Sequence, residues 1–337
     1  MRSSITDGSI AQEIGPPPPF DPELAPMAEM LAGIRPPDAY RLDTIEQMRA
    51  PVPGVERPTD EVLTRGGTYR VEERVVPGPD GHPDISLLIC LPIHASAPTV
   101  AMYHVHGGGM IVGDNRFALV EMLDLAAPLG AAVVSVEYRL APDTRHPGPV
   151  EDCYAGLVWV AAHAAELGVD PERIVVAGMS AGGGLAAAIT LMARDRHGPT
   201  VFAQLLMSPM LDDRNNSPST RQMRGLGVWD RSSNQTGWDA LLGDGVAGGP
   251  DVPAYAAPAR AADLSGLPPT FVDVGSAETF RDEDVAFAVR LWQAGGHAEL
   301  HVWPGGFHGF DVVAPHAALS REAVAARAVW LRRQLGG

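Results

Sequence analysis

The pentapeptide Gly178-Met179-Ser180-Ala181-Gly182 restricts the fold of this chain more than any other feature. It follows the β-branched run Ile174-Val175-Val176-Ala177 and precedes residues 182–195, which read as a helix. A strand, a sharp turn and a helix in direct succession bring backbone close to backbone, so small residues are needed at 178 and 182. The turn would lift the Ser180 hydroxyl above the end of a sheet, at a helix N-terminus whose partial positive charge favours a developing oxyanion. A glycine-rich turn of this kind can instead cradle phosphate. Here Ser180 occupies the place of the second glycine in G-x-G-x-x-G, and no Gly-Lys-Ser/Thr ending follows.

The rest of the chain supplies the sheet that such a turn requires. Short apolar or alternating runs predict strands at 68–76, 85–92, 99–104, 131–137, 173–177, 203–207, 270–274 and 299–302. Helical patterns at 117–127, 149–167, 182–195, 281–293 and 320–335 fall between and after them. The first strands read as antiparallel, joined by the Pro-Gly-Pro-Asp-Gly turn. The later alternation predicts an α/β fold, a mostly parallel central sheet with helices on both faces. Ahead of it, Pro16 to Pro19 exclude regular helix. Asp21 as N-cap and Pro22 at the first helical position then open a helix carrying Leu24, Met27, Met30 and Leu31, and a second follows at 40–48. These two helices are expected to form a separate layer. Residues 212–255, rich in Asn, Ser, Gly and Trp, show no clear strand and read as a segment inserted over the sheet.

A formal net charge of −16 speaks against nucleic acid or an anionic membrane as partner. No stretch approaches the roughly 20 apolar residues of a membrane span, and the N-terminus lacks a signal-peptide core. Cys90 and Cys153 sit in apolar surroundings and read as buried small hydrophobes. A cytoplasmic protein is expected.

Acyl chemistry at Ser180 needs donors for an oxyanion, a base and an acid. His106-Gly107-Gly108-Gly109 follows the buried strand at 99–104, upstream of the elbow, where a glycine loop can expose backbone N–H groups. A nucleophile on such a turn is followed in the chain first by the acid and then by the histidine. Of His197, His297, His301, His308 and His316, only His308 lies in a loop just after a strand, where α/β sheets carry their chemistry. The acid belongs after the strand at 270–274. Glu278 is nearest its end and is the first choice, with Asp282 second. Asp282, Glu283 and Asp284 also suit the start of a helix.

Together with Tyr138-Arg139-Leu140-Ala141-Pro142, Val150-Glu151-Asp152, Asp170-Pro171-Glu172-Arg173-Ile174 and His308-Gly309-Phe310, these motifs resemble the bacterial hormone-sensitive-lipase family of α/β-hydrolase esterases, from about residue 68 onward. The resemblance implies a cofactor-free, metal-free serine carboxylesterase acting on short- to medium-chain acyl esters. Gly108, Gly109 and the N–H of Ala181 would form the oxyanion hole. It also implies a helical cap built from residues 1–65 and an insertion at about 212–255, on a catalytic domain spanning 66–337. Phe20, Met27, Met223, Trp229 and Trp238 are left between lining the pocket and ordinary packing. A small-molecule ester is the implied partner, and a homodimer stays open. So does acyl transfer to an alcohol other than water, which would use the same residues. Two departures mark a side branch: Met179 stands where many members have Asp, and Glu278-Thr279-Phe280 where many have Asp-Pro-Leu.

Overall fold

The computed structural model describes residues 14–34, 39–50, 57–94 and 98–336. Within them the apolar runs form β1 (Tyr69–Val76), β2 (Ile85–Pro92), β3 (Thr99–Val105), β4 (Ala132–Glu137), β5 (Val169–Met179), β6 (Ala203–Met207), β7 (Thr270–Gly275) and β8 (Ala298–Trp303). They make one sheet in the order β1-β2-β4-β3-β5-β6-β7-β8. β1 and β2 pair antiparallel, as do β2 and β4, and every later pairing is parallel.

The helices preceding β1 are α1 (Ala25–Ile34), α2 (Ile45–Met48) and α3 (Asp60–Leu63). Those between the strands are α4 (Leu119–Ala126), α5 (Gly148–Ala162), α6 (Ala164–Leu167), α7 (Ala181–Asp195), α8 (Pro218–Gln222), α9 (Arg231–Leu242) and α10 (Arg281–Gln293); α11 (Phe310–Val313) and α12 (Ala318–Leu335) end the chain. Side-chain parity along each strand divides the core between two faces. Leu87, Ile89, Val134 and Val176 pack with Leu157 of α5, Ile189 of α7 and Phe287 of α10. Their neighbours Leu88, Cys90, Val133 and Val175 pack with Leu123 of α4 and Trp330 of α12. This is the expected parallel sheet with helices on both sides.

Several boundaries differ from the sequence reading. The stretch 149–167 is two helices, broken at His163, whose Nδ1 lies 2.9 Å from the Trp159 carbonyl. α3 was not anticipated; Thr59 caps it by accepting the Val62 N–H. α1 and α2 do not form one layer. Leu24 and Ala28 pack with Phe307 and Phe310, whereas Ile45 and Tyr40 join the main core. α1 opens later than expected, at Ala25 and not at Pro22; the Asp21 carboxylate accepts the Glu23 N–H at 2.8 Å in the turn ahead of it. Cys90 and Cys153 are buried free thiols, and burial pushes Cys90 up to about 12.

Candidate active site

The elbow forms where β5 ends and α7 begins. Ser180 is held at φ 59°, ψ −125°, a conformation that costs an L-residue energy and persists only under constraint. The constraint is visible in three hydrogen bonds. The Ser180 N–H donates to the Met207 carbonyl at 2.9 Å, and the Ser180 carbonyl accepts from Gly184 at 3.0 Å and Met210 at 2.9 Å. Gly182 is required by space: a Cβ there would lie 2.0 Å from the Val105 carbonyl oxygen of β3.

β8 leads into the loop carrying His308, and β7 into the loop carrying Glu278. The two loops are tied together by Ala277, whose N–H donates to Gly306, and by Gly305, whose N–H donates to the Ser276 hydroxyl. The result brings three side chains distant in sequence into contact. Nε2 of His308 lies 2.9 Å from Oγ of Ser180, and Nδ1 of the same ring lies 3.3 Å from a carboxylate oxygen of Glu278. The other Glu278 oxygen accepts the Phe280 N–H at 3.3 Å, and the Phe280 ring meets the imidazole edge-on at 5.1 Å. Ser180 and Glu278 are 4% and 1% exposed, so the array is largely out of water.

Asp282 is not part of it. Its carboxylate accepts the Ser219 N–H at 2.7 Å and Nε of Arg281 at 2.8 Å. Glu283 accepts the N–H groups of Leu211 and Asp212 at 2.8 and 3.0 Å. These acids anchor neighbouring loops, a more specific role than the helix-start preference read from sequence. Burial, with Asp212 and Glu278 nearby, holds the Glu283 carboxyl well above the usual range. Among the other histidines, His301 lies 2.9 Å from Glu299 and stacks on Trp303, away from Ser180.

The glycine loop runs beside Ser180: a Cβ on Gly107 would sit 3.5 Å from the Ser180 Cβ and 3.4 Å from the Phe117 ring. Among the described residues no carbonyl accepts the N–H of Gly108, Gly109 or Ala181, leaving these donors free for a ligand. His106 braces the loop, its Nδ1 2.8 Å from the Gly107 carbonyl and its ring stacked on Tyr138 at 4.1 Å. Burial lowers this histidine to about 4, so it is neutral at pH 7. The Tyr138 hydroxyl donates to the His106 carbonyl at 2.9 Å, and Arg139 next to it pairs twice with buried Asp152.

Residues 212–255 reach the same loop. The Trp229 ring covers Gly109 so closely that a Cβ there would lie 2.3 Å from it, and the Trp229 carbonyl accepts the Thr279 hydroxyl at 2.6 Å, one residue beyond Glu278. Trp238 has no exposed surface and packs in the main core. Phe20 packs edge-on against Phe307 at 6.0 Å, beside the His308 loop. Among the described residues no cluster of His, Cys, Asp or Glu has the form of a metal site, and no helix is long and apolar enough to cross a membrane.

The chain as a whole resembles known proteins. A family model described as the alpha/beta hydrolase fold matches residues 102–312. Carboxylesterase NlhH of Mycobacterium tuberculosis is 36% identical over 309 residues, covering 88% of this chain and 92% of the relative. Esterase LipI of the same organism is 36% identical over 246 residues, 71% of this chain and 75% of LipI. The solved structure of a bacterial heroin esterase superposes with a TM-score of 0.81 at 39% identity, covering 94% and 98% of the two chains. With the sheet order, the elbow and these likenesses together, the chain belongs to the α/β hydrolase fold family, among its hormone-sensitive-lipase-like carboxylic ester hydrolases.

Proposed function

We propose that this protein is a serine carboxylesterase that hydrolyses short- to medium-chain acyl esters through an acyl-enzyme. Ser180 is the nucleophile, His308 the general base and then acid, and Glu278 the carboxylate that orients the imidazole. The observation that carries this reading is one ring with both nitrogens engaged, 2.9 Å from the Ser180 hydroxyl and 3.3 Å from Glu278. A base must lie within about 2.6–3.2 Å of the proton-bearing atom, and the first distance meets that condition.

In the reaction, Nε2 of His308 takes the Ser180 proton as Oγ attacks the ester carbonyl carbon. The N–H groups of Gly108, Gly109 and Ala181 receive the negative charge on the carbonyl oxygen. Their freedom from internal acceptors supports this role. The imidazolium, held by Glu278, returns the proton to the departing alcohol. Water then repeats the sequence on the acyl-enzyme and releases the acid. No cofactor enters the scheme.

In this reading residues 66–337 form the catalytic domain, with residues 1–65 and about 212–255 as its cap. Support comes from α1, which packs on Phe307 and Phe310, and from Trp229, which covers Gly109. Two free thiols suit a cytoplasmic setting. A fluorophosphonate probe tests the scheme: digestion and mass spectrometry should find one adduct per chain, on Ser180. An adduct on another residue, or labelling that persists in Ser180→Ala, contradicts it.

A further inference from the structure

The glycine loop leads into a residue held in a conformation that its side chain does not favour. Gly108, Gly109 and Met110 follow one another at φ 112°, 62° and 63°. Met110 has a side chain, fully buried, and the left-handed region disfavours it. Such a turn persists only when its surroundings over-determine it.

Three hydrogen bonds close a ring behind the turn. The Ala141 N–H donates to the Met110 carbonyl at 2.8 Å. Nη2 of Arg49 donates to the Ala141 carbonyl at 2.9 Å, and Nε of the same guanidinium donates to the Ile111 carbonyl at 2.9 Å. The remaining nitrogen, Nη1, pairs with Asp143 at 2.6 Å and Glu46 at 3.0 Å. One planar fork, projecting from the end of α2 and only 22% exposed, thus spans two backbone segments. A lysine ammonium has no second coplanar donor and could not do the same.

We infer that Arg49 is a positioning residue for ester hydrolysis, fixing the Gly108 and Gly109 N–H groups in the orientation that receives the oxyanion. The inference rests on the role proposed above for that loop. Arg49 acts on the transition state and not on ground-state binding, because the oxyanion exists only after attack.

The test uses the full chain with Arg49→Lys, Arg49→Met and, as a control, Glu46→Gln, which removes only the charge of a solvent-exposed partner. Steady-state hydrolysis of p-nitrophenyl butyrate is measured beside affinity for a trifluoromethyl ketone, which binds as an oxyanion adduct, and thermal unfolding confirms that each variant is folded. Both Arg49 variants should lose about 10- to 100-fold in kcat with KM within about threefold, a smaller loss than deleting a donor outright. Ketone affinity should fall in parallel. Glu46→Gln should stay within about twofold. Folded Arg49 variants that keep kcat within about twofold, or that lose kcat while ketone affinity is unchanged, overturn the inference. Ser180→Ala is run alongside: activity surviving there defeats the parent reading, whereas intact Arg49 variants beside an inactive Ser180→Ala defeat only the positioning role.

Discussion

Glu278 and Asp282 diverge although they lie only four positions apart: the first directs an oxygen to within 3.3 Å of Nδ1 of His308, while the second accepts the Ser219 N–H at 2.7 Å. Both are acids after β7, yet the chain runs between them from the loop into α10 and turns their side chains to different neighbours. Glu278→Ala should therefore lower kcat/KM by about 10²- to 10⁴-fold, as loss of the orienting carboxylate does in related triads. Asp282→Ala should cost activity no more than about fivefold and act chiefly on stability. Turnover of a chromogenic ester by the two variants decides it. A larger kinetic loss at Asp282 would move the orienting role there.

Gly109 should not tolerate alanine. Its φ of 62° disfavours a Cβ, and that atom would meet the Trp229 ring at 2.3 Å. Strain and overpacking together predict a loss of about 2–4 kcal/mol in unfolding free energy, with a fall in kcat because the ring and the loop must part. Urea unfolding and ester kinetics on Gly109→Ala measure both. Wild-type values for the pair would mean that the close approach of Trp229 is not a feature of the working enzyme.

Asp284 predicts a pH dependence. It is fully buried, and among the described residues neither carboxylate oxygen has a polar partner. Burial first, and then Glu283, Glu278 and Asp273, hold it well above its ordinary value of 3.8. The folded protein keeps this carboxyl protonated while the unfolded chain ionises it, so stability falls as pH rises above the unfolded value. Asp284→Asn, uncharged at every pH, should match wild type near pH 3.5 and melt about 2–4 °C higher at pH 8. Melting curves at the two values test this; a variant affected equally at both would show that folding does not shift the ionisation of the carboxyl.

Arg327 neutralises two acids in one buried cluster. Its guanidinium pairs with Asp273 at 2.8 Å and with Asp311, and Trp303 donates to the same Asp273 oxygen at 3.0 Å. Replacing it with methionine keeps the carbon stem but strands two carboxylates, so Arg327→Met should cost about 3–5 kcal/mol. Asp273→Asn in that background should recover part of the loss in a chemical-denaturation series. Full additivity of the two changes would deny the coupling.

Local geometry explains what could be read from the sequence. The elbow was legible because strand, turn and helix are contiguous, and the steric demands on Gly178 and Gly182 are written in neighbouring positions. The strands were legible from β-branched runs, although β5 begins four residues before the predicted Arg173. The helices within 212–255 are marked by caps and not by the strand alternation that marks the sheet. The Asp230 carboxylate accepts the Ser233 N–H at 2.8 Å, and the Ser217 hydroxyl accepts from Thr220 at 3.1 Å. The division of labour among Glu278, Asp282, Glu283 and Asp284 was out of reach, since it depends on which loops α10 packs against. Arg49 gave no signal at all. Its partners are 62 and 92 residues away, and a hydrogen bond to a backbone carbonyl imposes no residue type on the acceptor.

Turnover of p-nitrophenyl butyrate by the wild type and by Ser180→Ala bears most directly on the account. The wild type should hydrolyse the ester, and the variant, which keeps the loop and the imidazole but has no hydroxyl 2.9 Å from Nε2 of His308, should retain less than about 10⁻³ of that rate. Equal rates in a correctly folded variant would contradict the assignment of nucleophile, base and acid together.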